Sequence, residues 1–243
     1  MNSFRSFVLF LTYLLLFRFS FSGYSQKSEA GISVSYDELY QSVQKKFGVD
    51  QELTNGIFYE DQFREAIGHP FLFDNDFHNG YLIFRNKKYD YVKIKYDIYE
   101  QHLVLYYAFF GSYVWIIPPN EFVSEFSIDG KVFRRFSFEG KNAAYNQVIY
   151  DCDKLKCIYS WSKKRYDSAH KGMFNSYKFT DSRLKAFLFQ ENTWFEFHNN
   201  RSFIRLFPAE SRIRIKKYIK QNKIKVTQND ATMQKLLNFC LEL

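Results

Sequence analysis

The sequence contains little cysteine, proline or glycine, the residues typical of disulfide-linked domains, repeats and flexible linkers. Only three cysteines, four prolines and ten glycines occur among 243 residues. No Gly/Ser-rich or proline-rich stretch is long enough to separate domains, and no repeat of solenoid or propeller period is present. A chain of this length can bury a substantial core without disulfide staples. We therefore expect a single large domain after the N-terminal segment.

Catalytic motifs are also missing from the sequence. It contains no P-loop, no dinucleotide fingerprint, no H-E-x-x-H and no G-x-S-x-G nucleophile elbow. No cysteine lies beside a histidine in a pattern that would activate it. His102 and His198 lie in alternating runs and are interpreted as satisfied or surface histidines. No catalytic residue and no cofactor is predicted, which favours a non-enzymatic protein.

The longest apolar run lies at the N-terminus. Eleven uncharged residues, from Phe7 to Phe17, follow Arg5, and small residues stand at Ser20 and Ser22. This is the layout of a secretory signal peptide over residues 1–22. The run is shorter than the roughly 20 apolar residues that a membrane-spanning helix needs. We therefore predict an exported protein, either periplasmic or at the cell surface.

Positive charge and aromatic rings are in excess. The formal net charge of +8 falls to +6 when Arg5 and Arg18 are removed with the signal peptide. The 29 Phe and 19 Tyr raise the aromatic content to 21%. Such rings either stack on sugars at the surface or fill the core. Phe, Tyr, Lys, Asn and Ile are abundant together, as an AT-rich genome would produce, and this favours the core.

Hydrophobic periodicity predicts a β-rich middle with helices at both ends. A capping-box spacing at Ser35 precedes an apolar stripe of Leu39, Val43 and Phe47, which is typical of a helix. Alternating residues predict strands over 81–85, 89–95, 101–107, 113–117, 122–128, 131–138, 145–151, 157–162, 176–180, 184–190, 193–198 and 202–206. Asp129-Gly130 is a strong hairpin signal.

The predicted fold is mainly β, of the α+β class. An antiparallel meander sheet curls into a sandwich or a partly open barrel, with one N-terminal helix and a C-terminal helix pair packed on the sheet. The predicted organisation is a signal peptide over 1–22, a disordered leader over 23–34, a helix over 35–56, the β domain over 57–206 and the helix pair over 207–243.

Several short motifs are similar to those of one protein family. They are Gly68-x-Pro70-Phe71, Gly80-Tyr81, Tyr96-Asp97-Ile98-Tyr99, Phe126-x-Ile128-x-Gly130-x-x-Phe133, Tyr145 with Ile149-Tyr150, Phe207-Pro208, and Ile215 with Tyr218-Ile219-Lys220. With these motifs the chain resembles, over residues 57–243, a family of uncharacterised exported proteins of Bacteroidota. The resemblance implies a β-rich exported protein and brings no catalytic residue with it.

A polar cluster between residues 74 and 78 is the candidate metal site. In an extended segment Asp74, Asp76 and His78 project to one side, and two carboxylates with an imidazole can hold a divalent cation. The alternative is a polar loop that leads to the turn residues Asn79 and Gly80.

Two stretches are candidate binding surfaces. Both mix cations with other exposed residue types: Tyr89, Tyr91, Lys93 and Lys95 on one strand, and Arg212, Arg214, Lys216, Lys217 and Lys220 on the first C-terminal helix. Tyrosine with lysine suits contacts with a partner, and a basic helix suits acidic polymers or anionic lipid heads. The alternative for the helix is a solvated face whose apolar side packs on the sheet.

Cys152 and Cys157 bracket a four-residue hairpin loop. Residues that flank such a loop face each other at close to disulfide distance, and an oxidising compartment permits the bond. A disulfide is therefore predicted between them. Cys240 lies on the apolar stripe of the last helix and is predicted to be a buried free thiol.

Three hypotheses for function follow. The first is a non-enzymatic binding or scaffold module whose partner is a macromolecule of the cell envelope, either protein or polysaccharide. The second is a metal- or carboxylate-dependent hydrolase of polysaccharide or peptide, which depends on Asp74, Asp76 and His78. The third is peripheral attachment to a membrane surface through the basic helix. Export disfavours nucleic acid as the partner.

Overall fold

The computed structural model describes residues 53, 55–109, 112–136, 144–168 and 176–243. All of them belong to one compact unit that runs from Ser42 to Leu243. The predicted signal peptide and disordered leader lie outside the described residues, as does nearly all of the helix predicted over 35–56.

Strands make up much of the described chain. They are β1 (Ile57–Phe58), β2 (His78–Phe84), β3 (Lys87–Asp97), β4 (His102–Phe109), β5 (Ser112–Ile117), β6 (Val123–Ile128), β7 (Lys131–Phe136), β8 (Ala144–Asp151), β9 (Lys156–Ser162), β10 (Arg165–Ser168), β11 (Ser176–Phe179), β12 (Arg183–Gln190) and β13 (Thr193–Phe197). Eleven form one antiparallel sheet in the order β1-β5-β4-β3-β2-β6-β7-β8-β9-β12-β13, and β10 pairs with β11 separately. The predicted mainly β fold is confirmed. The sheet is open, because its end strands β1 and β13 do not pair with each other.

The sheet consists of two meanders that meet at β2 and β6. From this junction β2 to β5 extend in one direction, and β6 to β9 extend in the other and continue into β12 and β13. At the junction Leu82 pairs with Phe126 and Gly80 pairs with Ile128. A Cβ atom on Gly80 would lie 1.8 Å from the carbonyl oxygen of Ser127. Only glycine therefore permits the two strands to approach this closely.

The first core covers one face of strands β2 to β8 and is built largely from aromatic rings. Tyr96 lies inside it, and its ring centroid is 5.3 Å from that of Phe126, 5.5 Å from that of Phe133 and 6.0 Å from that of Tyr145. The Tyr96 hydroxyl contacts Gln101 Oε1 at 2.7 Å and the Tyr145 carbonyl oxygen at 3.0 Å. These rings are buried. For them, the expectation that aromatic residues fill the core is confirmed.

The second core forms between the far end of the sheet and three helices: α1 (Asn200–Arg205), α2 (Ala209–Gln221) and α3 (Asp230–Leu241). Ile215 and Ile219 of α2 are buried in it, and Tyr218 stacks on Phe239 of α3 with ring centroids 4.1 Å apart. The predicted C-terminal helix pair is confirmed as α2 and α3. No helix among the described residues is both long enough and apolar enough to cross a bilayer.

The strand predicted over 202–206 is wrong, because these residues belong to helix α1 and the turn after it. Asn199 is the N-cap, and its side chain accepts a hydrogen bond from the Ser202 amide while the Ser202 hydroxyl accepts one from the Asn199 amide. This reciprocal pair satisfies two amides that the first turn of a helix leaves free. The local cap outweighs the alternating pattern in so short a segment.

The predicted disulfide between Cys152 and Cys157 is not formed, and both residues are free thiols. A tight turn closes the hairpin, because the Cys152 amide donates to the Leu155 carbonyl at 3.1 Å. Cys157 therefore lies opposite Tyr150 rather than opposite Cys152, and it is buried in the second core. Cys240 is buried and free, as predicted.

Candidate functional site

Residues 71–77, which lie between β1 and β2, pack against the end of β3. The Leu72 amide donates to the Tyr96 carbonyl at 3.0 Å, and Phe71 forms an antiparallel bridge with Asp97. These bonds fix the segment along the last residues of β3. It therefore encloses polar side chains that strand alternation predicts to be exposed to solvent.

Lys95 is one of these enclosed side chains. It is only 3% exposed, and its Nζ lies 4.5–4.7 Å from the ring centroids of Phe71, Phe77 and Trp115. Nζ also donates to the Asn75 carbonyl at 2.5 Å and to Asn75 Oδ1 at 3.1 Å. Burial lowers the pKa of this ammonium group, while the rings and the two oxygens replace part of its hydration. Lys95 thus anchors the covering segment and is not accessible to a partner.

The other three members of the predicted strand surface do not form a single face. Tyr91 and Lys93 are exposed, whereas Tyr89 packs partly against the first core. The register between β3 and β2 shifts between Tyr89 and Val92, and Tyr91 has a φ of 60°. The bulge interrupts the period of two from which one common face was predicted.

The predicted metal cluster is replaced by a histidine between two carboxylates. His78 Nε2 lies 2.9 Å from Asp74 Oδ1, and His78 Nδ1 lies 2.6 Å from Asp129 Oδ2. The Asp76 amide donates to Asp74 Oδ1, and this bond, together with His78, lowers the pKa of the Asp74 carboxyl group. Both ring nitrogens of His78 are occupied. Among the residues that the structure describes, no three His, Cys, Asp or Glu side chains are grouped to hold a metal ion.

A polar cluster lies close to Lys95: Asp97 is buried, and Tyr59 and His102 beside it are half-buried. Asp97 Oδ1 accepts hydrogen bonds from the Tyr99 and Glu100 amides, each at 2.8 Å, which closes the turn between β3 and β4. Asp97 Oδ2 and His102 Nε2 are 3.9 Å apart, too far for a hydrogen bond. Within the described part of the chain these two atoms and the Tyr59 hydroxyl have no hydrogen-bond partner.

Burial shifts the pKa of every member of this cluster. It raises the pKa of the Asp97 carboxyl group from 3.8 to about 6, against the opposing effect of the two amide hydrogen bonds. It lowers the pKa of His102 and raises that of Tyr59. Each change disfavours the charged form, as expected for groups removed from water without a counter-ion in contact.

Tyr59 of this cluster also lines an open cleft of about 580 Å³. Tyr59 and Trp115 belong to its lining, as do the charged side chains of Glu60, Asp61 and Arg64. The Tyr59 ring centroid lies 6.2 Å from that of His102 and 5.8 Å from that of Trp115. Asp97 Oδ2 and His102 Nε2 are closed off from solvent. A reactant in the cleft therefore has no direct access to either atom in this arrangement.

The second candidate surface is formed by the exposed cations of residues 200–225. These nine side chains are termed the basic helical surface: Arg201, Arg205, Arg212, Arg214, Lys216, Lys217, Lys220, Lys223 and Lys225. In the described residues none of them forms an ion pair with a carboxylate. The predicted cations of α2 are therefore all exposed, and no carboxylate of the described residues neutralises them.

Arg212 differs from its neighbours on this surface because its guanidinium group is used inside the molecule. Its Nε donates to the Phe207 carbonyl at 2.7 Å, and one terminal nitrogen donates to the Arg205 carbonyl at 3.0 Å. Carbonyls at the end of a helix lack intrahelical donors, so Arg212 ties α2 to the end of α1. The remaining cations of α2 keep their donors directed towards solvent.

No family model, curated protein or solved structure matches the chain. The function is therefore inferred from its side chains and their geometry. Sequence reasoning missed the proximity of Tyr59 to Asp97 and His102, because Tyr59 precedes β2 whereas the other two residues pair across the β3–β4 hairpin. One signal was available: Asp97 precedes a turn, where an aspartate side chain commonly accepts amides two and three residues ahead.

Proposed function

We propose that the protein is an exported, non-enzymatic binding module that holds acidic macromolecules of the cell envelope through the basic helical surface. The observation that carries the proposal is the concentration of charge. Residues 200–225 contain nine cations and one carboxylate, Glu210. Their excess of eight equals the formal net charge of the entire chain. Outside this segment and the predicted signal peptide, acids outnumber cations by two.

This distribution favours binding over simple solubility. A soluble surface normally mixes both signs, which limits the field at any one place. Here the cations stand on neighbouring turns of α2, so their potentials add over a distance comparable to the Debye length in physiological salt. Ile215 and Ile219 fix the opposite face of α2 in the second core. The helix therefore presents its charges in a fixed arrangement.

The export part of the proposal is supported by the first 22 residues alone. When the full-length gene is expressed in a bacterial host that secretes proteins, we expect the mature chain to begin at or close to Gly23, because Ser20 and Ser22 stand where a signal peptidase reads small residues. N-terminal sequencing of protein from separated cytoplasmic and envelope fractions measures this. An intact Met1 on protein confined to the cytoplasm would exclude export while leaving the binding test unaffected.

Charge reversal at Lys217 and Lys220 tests the binding part of the proposal. Both side chains are exposed on the outward side of α2 and take no part in either core. With heparin as an acidic polymer, we expect the Lys217→Glu/Lys220→Glu variant to bind about tenfold more weakly or worse, because two attractions become repulsions. Binding of the mature protein should also weaken steeply as salt is added.

The matched control reverses two lysines elsewhere. Lys154 and Lys178 are exposed and lie outside the basic helical surface. The Lys154→Glu/Lys178→Glu variant has the same net charge as the α2 variant, so net charge alone affects both equally. We expect it to bind heparin nearly as the parent protein does. Equal losses in the two variants would argue against a localised binding surface.

A further inference from the structure

Helix α2 carries a highly exposed isoleucine, Ile213. Ile213 is 77% exposed, whereas Ile215 and Ile219 on the opposite side are buried. On a helix, Ile213 shares its face with Lys217 and Lys220, which follow at i+4 and i+7. The outward face thus carries a bare branched apolar side chain among cations.

We propose that this face binds an anionic lipid bilayer, with Ile213 inserted among the acyl chains and the surrounding lysines on the lipid headgroups. The inference rests on the proposed function, since it names the acidic partner of the same surface. A helix lying flat on a membrane needs cations at headgroup level and an apolar side chain that points between them into the bilayer. Lys217 and Lys220 have long flexible stems that reach sideways to phosphates while Ile213 goes deeper.

The apolar side chain favours a bilayer over a soluble polyanion. Acidic polysaccharides and nucleic acids offer charge to the lysines, but their charged backbones offer little that would bury Ile213. A bilayer provides both, because removal of the side chain from water adds to the electrostatic attraction. The positive charge of the lysines and the exposure of Ile213 therefore both favour an anionic bilayer as the partner.

The contact is shallow and reversible. A single inserted side chain contributes far less than a lipid anchor, so binding depends on the lysines acting with it. The protein should sediment with vesicles of equal parts phosphatidylglycerol and phosphatidylcholine, and it should remain in solution with pure phosphatidylcholine vesicles.

Substitution of Ile213 separates insertion from charge. With the mature chain and phosphatidylglycerol vesicles, we expect Ile213→Ser to weaken co-sedimentation about tenfold, since most of the gain from burying the side chain is lost. Ile213→Leu should restore it. The matched control is Leu241→Ser, which removes an exposed leucine at the end of α3, outside the basic helical surface. We expect no change in this control.

Heparin distinguishes failure of this inference from failure of the proposed function. Ile213→Ser should bind heparin as the parent does. If Ile213→Ser leaves vesicle binding unchanged, or if the parent binds heparin and ignores anionic vesicles, lipid insertion is excluded and the basic surface serves a soluble acidic partner. If Lys217→Glu/Lys220→Glu alters neither vesicle nor heparin binding, the inference and the proposed function fail together.

Discussion

Truncation of Phe126 to alanine is expected to lower the free energy of unfolding by roughly 3–5 kcal/mol, the range for large buried aromatic residues. Phe126 has no solvent exposure, and its ring is stacked on Phe133 with centroids 4.9 Å apart. It also lies on β6, where the two meanders meet, opposite Leu82. Alanine would leave a cavity inside the first core and weaken the junction at the same position.

Urea denaturation of the parent and the variant measures this loss through the shift in the unfolding midpoint. Phe195→Ala is the matched control, because Phe195 also lies on a strand but is 36% exposed and belongs to neither core. We expect this control to cost about 1 kcal/mol or less, as for surface substitutions. A Phe126→Ala variant as stable as the control would contradict the described packing at the junction.

Replacement of Asp97 with asparagine is expected to stabilise the protein at neutral pH by about 1–3 kcal/mol. Asp97 is 1% exposed, and burial raises the pKa of its carboxyl group from 3.8 to about 6. The folded protein at neutral pH therefore holds a charge that water would solvate better. The Oδ1 atom of asparagine can still accept hydrogen bonds from the Tyr99 and Glu100 amides. The substitution removes the charge and places an NH2 group where Oδ2 stood.

The pH dependence identifies this cause. Between about pH 4 and about pH 6 the folded chain still holds the Asp97 proton, whereas the unfolded chain has released it. The unfolded state then binds fewer protons, so the contribution of Asp97 to the free energy of unfolding falls as pH rises through this window. The asparagine variant lacks this slope. Its advantage should be absent below about pH 4 and complete above about pH 6.

Urea titrations of the parent and Asp97→Asn at both ends of this window provide the measurement. Asp97→Ala serves as the control, because it removes the charge and also the acceptor of the two amides. It should therefore be less stable than the asparagine variant at every pH. An Asp97→Asn protein that is less stable than the parent at neutral pH would contradict a net cost of the buried charge at this position.

Much of the fold was predictable because its signals are local. Asp129 and Gly130 both adopt positive φ, 48° and 76°, in the two-residue turn between β6 and β7 that their sequence predicts. Asn222 ends α2, and Asn229 caps α3 with its side chain. Ile215 and Ile219, four positions apart, form the buried face of α2. Such features depend on residues a few positions apart, which one sequence displays directly.

The contacts of the candidate sites were not predictable in the same way. Strand alternation predicts that Lys95 is exposed to solvent. Only the folded chain brings Phe71, Phe77 and Trp115 around its ammonium group. His78 likewise takes Asp129, 51 residues away, as its second carboxylate partner, where the sequence predicts a local metal site with Asp76. Alternation specifies which face a side chain points to and cannot specify what covers that face.

The separation of charge along the chain has a kinetic consequence. A slightly acidic body with one strongly cationic end is a permanent electric dipole, and a negatively charged surface exerts a torque on it before contact. The molecule therefore approaches such a surface already turned the right way, which raises the fraction of productive collisions. Added salt would slow the encounter far more than it would hasten departure, because short-range contacts govern how long the partners remain together.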